Sequence, residues 1–391
     1  MTDRPTVDFR PGAAVLVRVL DGAADDVATV VRQLGPAGEP APPAGRSGVD
    51  PPSTSGEPDI AIRFVDRLPD TGPVRSIGLD DAAATDTEFL ILRGRRKSRA
   101  RVAIPLDRAG GPLEIVCERP VRAVPLLVPL VNMAALARGI VPVHASAVQL
   151  DGQGILIVGW SKGGKTETVL ALMGNGAEFV GDEWIYLQPG GRATGLGEPC
   201  RIWDWQLAQL PWLADAVGPS SRAGLRLTSF LAGAVGVARK MPGMGATGLA
   251  SVLDRAEPIV RRQLSVQVPP ERLFGGRIRT ETTIDTIVLA SSVDTSEVTM
   301  SPIRSEEVIE GIVQSDLHER LDLIAAAAKF RFAFPDRTTL AIDRAPDVER
   351  SLLRAVLGER PAWRLDHPYP PAIERLGDVV LNALRSHHPG A

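Results

Sequence analysis

The stretch Gly159–Thr168, GWSKGGKTET, decides how the rest of this 391-residue chain is read. Gly159, Gly164, Lys165 and Thr166 satisfy the spacing G-x-x-x-x-G-K-[ST]. Glycines let a backbone curl so that successive N–H groups converge on an anion at the start of a helix. The flanks suit this geometry: GILIV before the loop reads as a buried strand, and KTETVLALM after it as a helix that stops at GNG. The spacing predicts a phosphate-holding turn in which Gly159, Trp160, Ser161, Lys162, Gly163, Gly164, Lys165, Thr166 and Glu167 surround a nucleotide. Lys165 would bridge the outer phosphates and the Thr166 hydroxyl would face Mg²⁺. The chain has few lysines, Lys97, Lys162, Lys165, Lys240 and Lys329, so two in one short loop stand out.

Two neighbours converge on the loop. HASAVQLDGQGILIVG reads as two strands joined by the turn Asp151–Gln153. Pairing Leu150 with Gly154 sets Ser146 opposite Val158 and His144 opposite Trp160, at the loop's mouth. There an imidazole either donates to a phosphate oxygen or simply caps the hairpin. AEFVGDEWIYL places Asp182 and Glu183 between two apolar runs, beginning seventeen residues after Lys165. Paired carboxylates beside a triphosphate divide their work: one, Asp182, assists Mg²⁺, and the other, Glu183, accepts the proton of an attacking hydroxyl. That short separation leaves room for one helix only, unlike motor, transporter or AAA-type ATPases.

The segment HASAVQLDGQGILIVGWSKGGKTETVLALMGNGAEFVGDEWIYL resembles the HPr kinase/phosphorylase family and, more distantly in fold, ATP-dependent phosphoenolpyruvate carboxykinase. The resemblance matches His144 to the family's active-site histidine, Ser161, Lys165, Thr166, Glu167 and Thr168 to its loop, and Asp182–Glu183 to its Asp-Asp pair. It implies a P-loop nucleotide-binding α/β core with a mixed sheet, ATP and Mg²⁺ as cofactors, and phosphoryl transfer to a serine or threonine of a protein or peptide. Arg304, in SPIRSEEV, echoes the family's arginine-bearing loop, and Glu198 is the candidate for its third metal carboxylate. Glu stands at 183 where the family has Asp, and the segment tied to phosphorolysis is not reproduced. These departures point to a divergent kinase.

The remaining chain frames this core. A formal net charge of −3 calls for neither nucleic acid nor an anionic membrane as partner. Cys117 and Cys200 are too few for a disulfide framework, which together with the acidic N-terminus suggests a cytoplasmic protein. A homo-oligomer is compatible with these features. Residues 1–34 and 60–122, with the runs IAIRFV, FLILRG and LEIVCE, read as an accessory α+β unit interrupted by a disordered Pro/Gly-rich insert at 35–59. Residues 123–305 form the kinase core, with a helical region from about Trp205 to Arg262, and 306–391 a mostly helical unit. Trp203, Trp205 and Trp212 are either an acceptor-docking surface or helix core. The competing functions are a kinase of a small-molecule alcohol and a nucleotide-binding regulator with little turnover.

Overall fold

The computed structural model describes residues 6–36, 56–69, 72–78, 81–93, 100–219, 222–225 and 265–387. Most of the expected insert, and the greater part of the helical region after Trp205, lie outside the described residues. The described chain is mixed α/β, built on two large sheets.

The first sheet holds β1 (Val7–Phe9), β2 (Val17–Leu20), β3 (Ile60–Val65), β4 (Arg75–Ile77), β5 (Ala82–Ala84), β6 (Phe89–Arg93), β7 (Ala100–Ala103) and β8 (Leu113–Glu118). Its order is β1-β2-β3-β8-β7-β6-β5-β4. Helix α1 (Ala24–Leu34) connects β2 to β3, which run parallel, so the two separate N-terminal segments belong to one sheet. Helix α2 (Leu127–Ala137) is apolar on nearly every face, because it packs between this sheet and the elements beyond it.

The second sheet comprises β9 (Val141–Val143), β10 (Ala145–Leu150), β11 (Gln153–Val158), β12 (Glu178–Gly181), β13 (Ile185–Leu187), β14 (Arg192–Gly195), β17 (Glu281–Ser292), β18 (Thr299–Ile303) and β19 (Ala362–His367). Helix α3 (Lys165–Gly174) follows β11 directly after the glycine loop. A separate ribbon pairs β15 (Cys200–Trp203) with β16 (Ser265–Val268), and the short helices α4 (Asp204–Gln209), α5 (Pro211–Val217) and α6 (Pro270–Phe274) adjoin it. The chain closes with α7 (Ser305–Glu319), α8 (Leu321–Ala333), α9 (Leu340–Leu357) and α10 (Ile373–His387).

Strand β17 organises this sheet. It runs parallel to β11 on one side and, over its C-terminal half, parallel to β19 on the other. Both faces are covered, and alternate residues of β10 and β11 feed two cores. Ala147, Leu156 and Val158 join the cluster shared with α2, α7 and the first sheet, while Val148, Ile155 and Ile157 pack on α3 and α10.

Two expectations change here. The hairpin pairs Leu150 with Gln153 and Ala145 with Val158, one residue away from the expected register. Asp151 and Gly152 both have positive φ, 49° and 81°, so the turn has two central residues and not three. Asp-Gly favours that turn because its twist matches the strands. The segment 306–391 is mostly helical, yet it also supplies β19 beside β17. Its WRLDH run is too short to separate from helix by periodicity alone.

Gly154 has no room for a side chain, since a Cβ would drive into the carbonyl oxygen of Thr283 on β17. Gly152 sits in open space and needs glycine only for its φ. Gly154→Ala should therefore cost about 3 kcal/mol, and Gly152→Ala about 1 kcal/mol. Urea unfolding of both variants checks the order, and equal losses would contradict it.

Candidate functional site

The parallel strands β11, β17 and β19 all end at the same edge, and the glycine loop leaves β11 there. Lys162 and Gly164 have φ of 63° and 100°, which give the loop its curl. Buried carbonyls of the loop need donors within the protein. Lys165 Nζ donates to Gly159 O at 2.8 Å and approaches Trp160 O at 3.4 Å. Thr168 Oγ1 donates to Gly164 O at 2.8 Å, and fully buried His367, the last residue of β19, places Nε2 2.8 Å from Gly163 O. Burial lowers the Lys165 ammonium pKa, while the nearby carboxylates of Glu183 and Asp182 pull the other way.

Asp182 directly follows β12 and is buried. Thr166 Oγ1 donates to its Oδ2 at 3.0 Å, and Ser146 Oγ of β10 donates to Oδ1. Burial and the neighbouring Glu183 push its pKa up, and the two hydroxyl donors hold it down in part. Glu183 stands on a tight turn with φ +73°, closed by Trp184 N donating to Asp182 O at 3.1 Å. Such a turn is strained for a residue with a side chain, a condition that clusters at functional sites. His144 Nε2 donates to Glu183 Oε2 at 3.0 Å, and that hydrogen bond holds the carboxyl below the usual glutamate range. The Glu183 side chain remains 41% exposed, whereas His144 is only 7% exposed.

Most of the sequence-predicted residues thus meet at one cavity of about 580 Å³, whose lining includes His144, Lys165, Thr166, Asp182 and Glu183, whereas Gly159, Trp160 and Gly163 border a separate cavity on the other side of the loop. Glu167 lines it too, its carboxylate accepting from Gln206 of α4 at 2.9 Å. Glu198 belongs to the same wall, with Oε1 enclosed and without a hydrogen-bond partner among the described residues. Burial, then Glu183 and Asp182, raise its pKa well above the ordinary value. Arg304 does not reach the site. It caps the start of α7, is 81% exposed and pairs with Glu307. The far end of that helix, Glu319, lines the cavity, about 20 Å along the axis. Trp203 lines the cavity, while Trp212 packs against Phe274 in the core and Trp205 meets the edge of Tyr369.

Sequence reasoning missed several contributors. Asp316 of α7 accepts the His144 backbone N–H at 2.8 Å and sits beside the buried pair Arg320–Glu349. Arg201, Gln267, Glu319 and Tyr369 complete the walls. These lie far from the loop along the chain and carry no motif, so only the helical and strand patterns around them were readable.

No helix among the described residues is long and apolar enough to cross a membrane. Among them, no group of three or more His, Cys, Asp or Glu side chains is arranged to hold a metal ion unaided. No protein-family model matches the sequence, and no curated protein matches it. Among solved structures, a match is found to the Hpr(Ser) kinase/phosphatase from Coxiella burnetii, 14% identical over 64% of this chain and 99% of that one, with a TM-score of 0.24.

The raised Glu198 carboxyl has a thermodynamic consequence. Its ordinary value is 4.5, so as pH rises above that the folded state retains a proton that the unfolded chain has lost. Stability contributed at low pH is then lost as pH rises towards the elevated folded value. The ligand-free protein should melt lower at pH 8 than at pH 5.5. Glu198→Gln should remove part of this slope and raise the melting temperature at pH 8 by about 2 °C, or about 1 kcal/mol for a chain of this size. A variant that melts lower at pH 8 with an unchanged slope would contradict the placement of this carboxylate.

Proposed function

We propose that the cavity binds ATP with Mg²⁺ and transfers the terminal phosphoryl group to a hydroxyl. The observation that carries this reading is the Thr166–Asp182 contact at the first turn of α3, directly beside a lysine tethered within a glycine loop. A helix start with inward N–H groups suits phosphate. The hydroxyl–carboxylate pair next to it suits a hard divalent cation, whose usual ligands are oxygens.

The charge balance supports a metal requirement. Five carboxylates line the cavity, those of Glu167, Asp182, Glu183, Glu198 and Glu319, against Lys162, Lys165 and Arg201. A bare triphosphate would meet net repulsion there. Thr166 and Asp182 would hold Mg²⁺, with the unpartnered Glu198 oxygen facing the same space, and the ion would neutralise charge on the triphosphate.

The chain's own groups divide the remaining chemistry. The loop amides and Lys165 orient the phosphates and stabilise charge as the phosphoryl group leaves. The acceptor hydroxyl gives its proton to Glu183 while its oxygen forms the new bond to phosphorus and the bond to the ADP oxygen breaks. A carboxylate held below its ordinary pKa is a weak base, which suffices because phosphoryl transfer leaves most proton movement until late. The exposed edge of Glu183 then returns the proton to water. His144, 3.0 Å from Glu183, positions that carboxylate and faces the transferred charge. The resemblance in sequence adds a serine or threonine as one form of the acceptor.

Three variants separate the roles. Lys165→Ala should abolish transfer while the variant still folds, with a melting temperature lowered modestly by the lost donor to Gly159 O. Asp182→Asn should raise the Mg²⁺ requirement, with partial rescue at high Mg²⁺. Glu183→Gln should leave nucleotide and metal affinity within about twofold yet slow transfer by about 10² to 10⁴. Single-turnover rates across Mg²⁺ titrations check all three. An active Glu183→Gln alongside an Asp182→Asn that stays dead at saturating Mg²⁺ would make Asp182 the base.

A further inference from the structure

The glycine loop has a second face. Behind it lies another cavity, of about 380 Å³, bordered by the loop, by the ends of β11 and β17, and by α7. Its walls include His144, Trp160, Ser291, Ser292, Gly311 and Ser315. His144 lines both cavities.

Gly311 is the informative residue. It lies in the middle of α7, where glycine costs about 1 kcal/mol relative to alanine. Its backbone does not adopt positive φ, and a Cβ there would meet no atom within 4 Å. Neither conformation nor packing requires glycine, so what it preserves is open space on that side of the helix. Gly311, Ser315 and His318 follow one another at four- and three-residue steps and share a face. Trp160, 52% exposed, stacks on His318 at 4.9 Å between ring centres. The Nδ1 of His144, although enclosed, has no hydrogen-bond partner among the described residues, and the Glu319 carboxylate stands 3.4 Å away.

We propose that this second cavity holds the acceptor, a small neutral or anionic compound rich in hydroxyl groups. The proposal rests on the phosphoryl-transfer reading above and narrows its substrate class. Four serines, Ser161, Ser291, Ser292 and Ser315, border the cavity, and Lys162 and His144 are its titratable side chains. Among the described residues the lining includes no carboxylate, so a compound carrying an ammonium group finds no counter-charge there, whereas polyols and hydroxy acids do find donors and acceptors. The volume suits one small molecule and not a folded protein surface. A hydroxyl bound beside His144, which lines both cavities and bonds Glu183, would give its proton to that carboxylate while its oxygen takes the phosphoryl group and the bond to the ADP oxygen breaks.

The test is ligand-observed NMR on the full chain, with and without ADP and Mg²⁺, using sugars, polyols and hydroxy acids headed by glycerol, ribose, myo-inositol and glycerate. At least one compound should bind to the parent protein. Gly311→Leu, which fills the cavity from the helix side, should weaken that binding at least tenfold while the melting temperature does not fall. Ser292→Leu blocks from the opposite wall and serves if Gly311→Leu misfolds. The proposal is overturned if no compound shows binding sensitive to these variants, or if a serine-bearing pentapeptide alone shows it. Absence of ADP binding would instead remove the nucleotide reading, and the nucleotide-free arm would still report on the cavity.

Discussion

The parallel contact between β11 and β17 is the constraint on which the site depends. Gly154 lets the two backbones meet so closely that no Cβ fits between them. That contact brings the C-terminal ends of β11, β17 and β19 to one edge, where open α/β sheets commonly bind ligands. Everything placed at this edge follows from it: the glycine loop from β11, Ser291 and Ser292 from β17, and His367 from β19. His367 in turn meets the loop it faces, since a Cβ on Gly164 would collide with its imidazole.

Charge is the second organising feature. The loop buries carbonyls that need donors, and Lys165, Thr168 and His367 meet them. The same region collects carboxylates whose ionised forms are costly there. Asp182, Glu198 and Glu167 are all raised by burial, whereas Glu183 is lowered by its hydrogen bond to His144. Adjacent carboxyls pushed in opposite directions are well suited to different tasks.

His144 links the two cavities to the outer helices. Its backbone is held by Asp316 of α7, and its ring by Glu183. Asp316 is itself pushed well above the usual carboxyl range by burial and by Glu349. A shift of α7 would therefore move the imidazole as well as the wall that carries Gly311 and Ser315.

Much of the local structure was legible in the residues themselves. The glycine loop between a buried strand and a helix, the Asp182–Glu183 break and the strands β3, β6 and β8 all follow from short-range pattern and backbone preference. The hairpin was readable as a hairpin, but its register depended on whether Asp151 and Gly152 alone could close the turn, a matter of two φ angles. Other features are decided only in three dimensions. Glu319, Asp316 and Gly311 reach the loop because α7 packs across the strand ends, and Arg304, on the same helix, is carried away by the helix's own length. His367 enters because β19 pairs with β17, and six residues of ordinary composition do not announce that partner. Sequence determines the backbone and side-chain chemistry that a loop of glycines and two lysines offers, because it is contained within ten residues. Which distant side chains complete the site depends on packing between elements, where no single segment contains both halves of the contact.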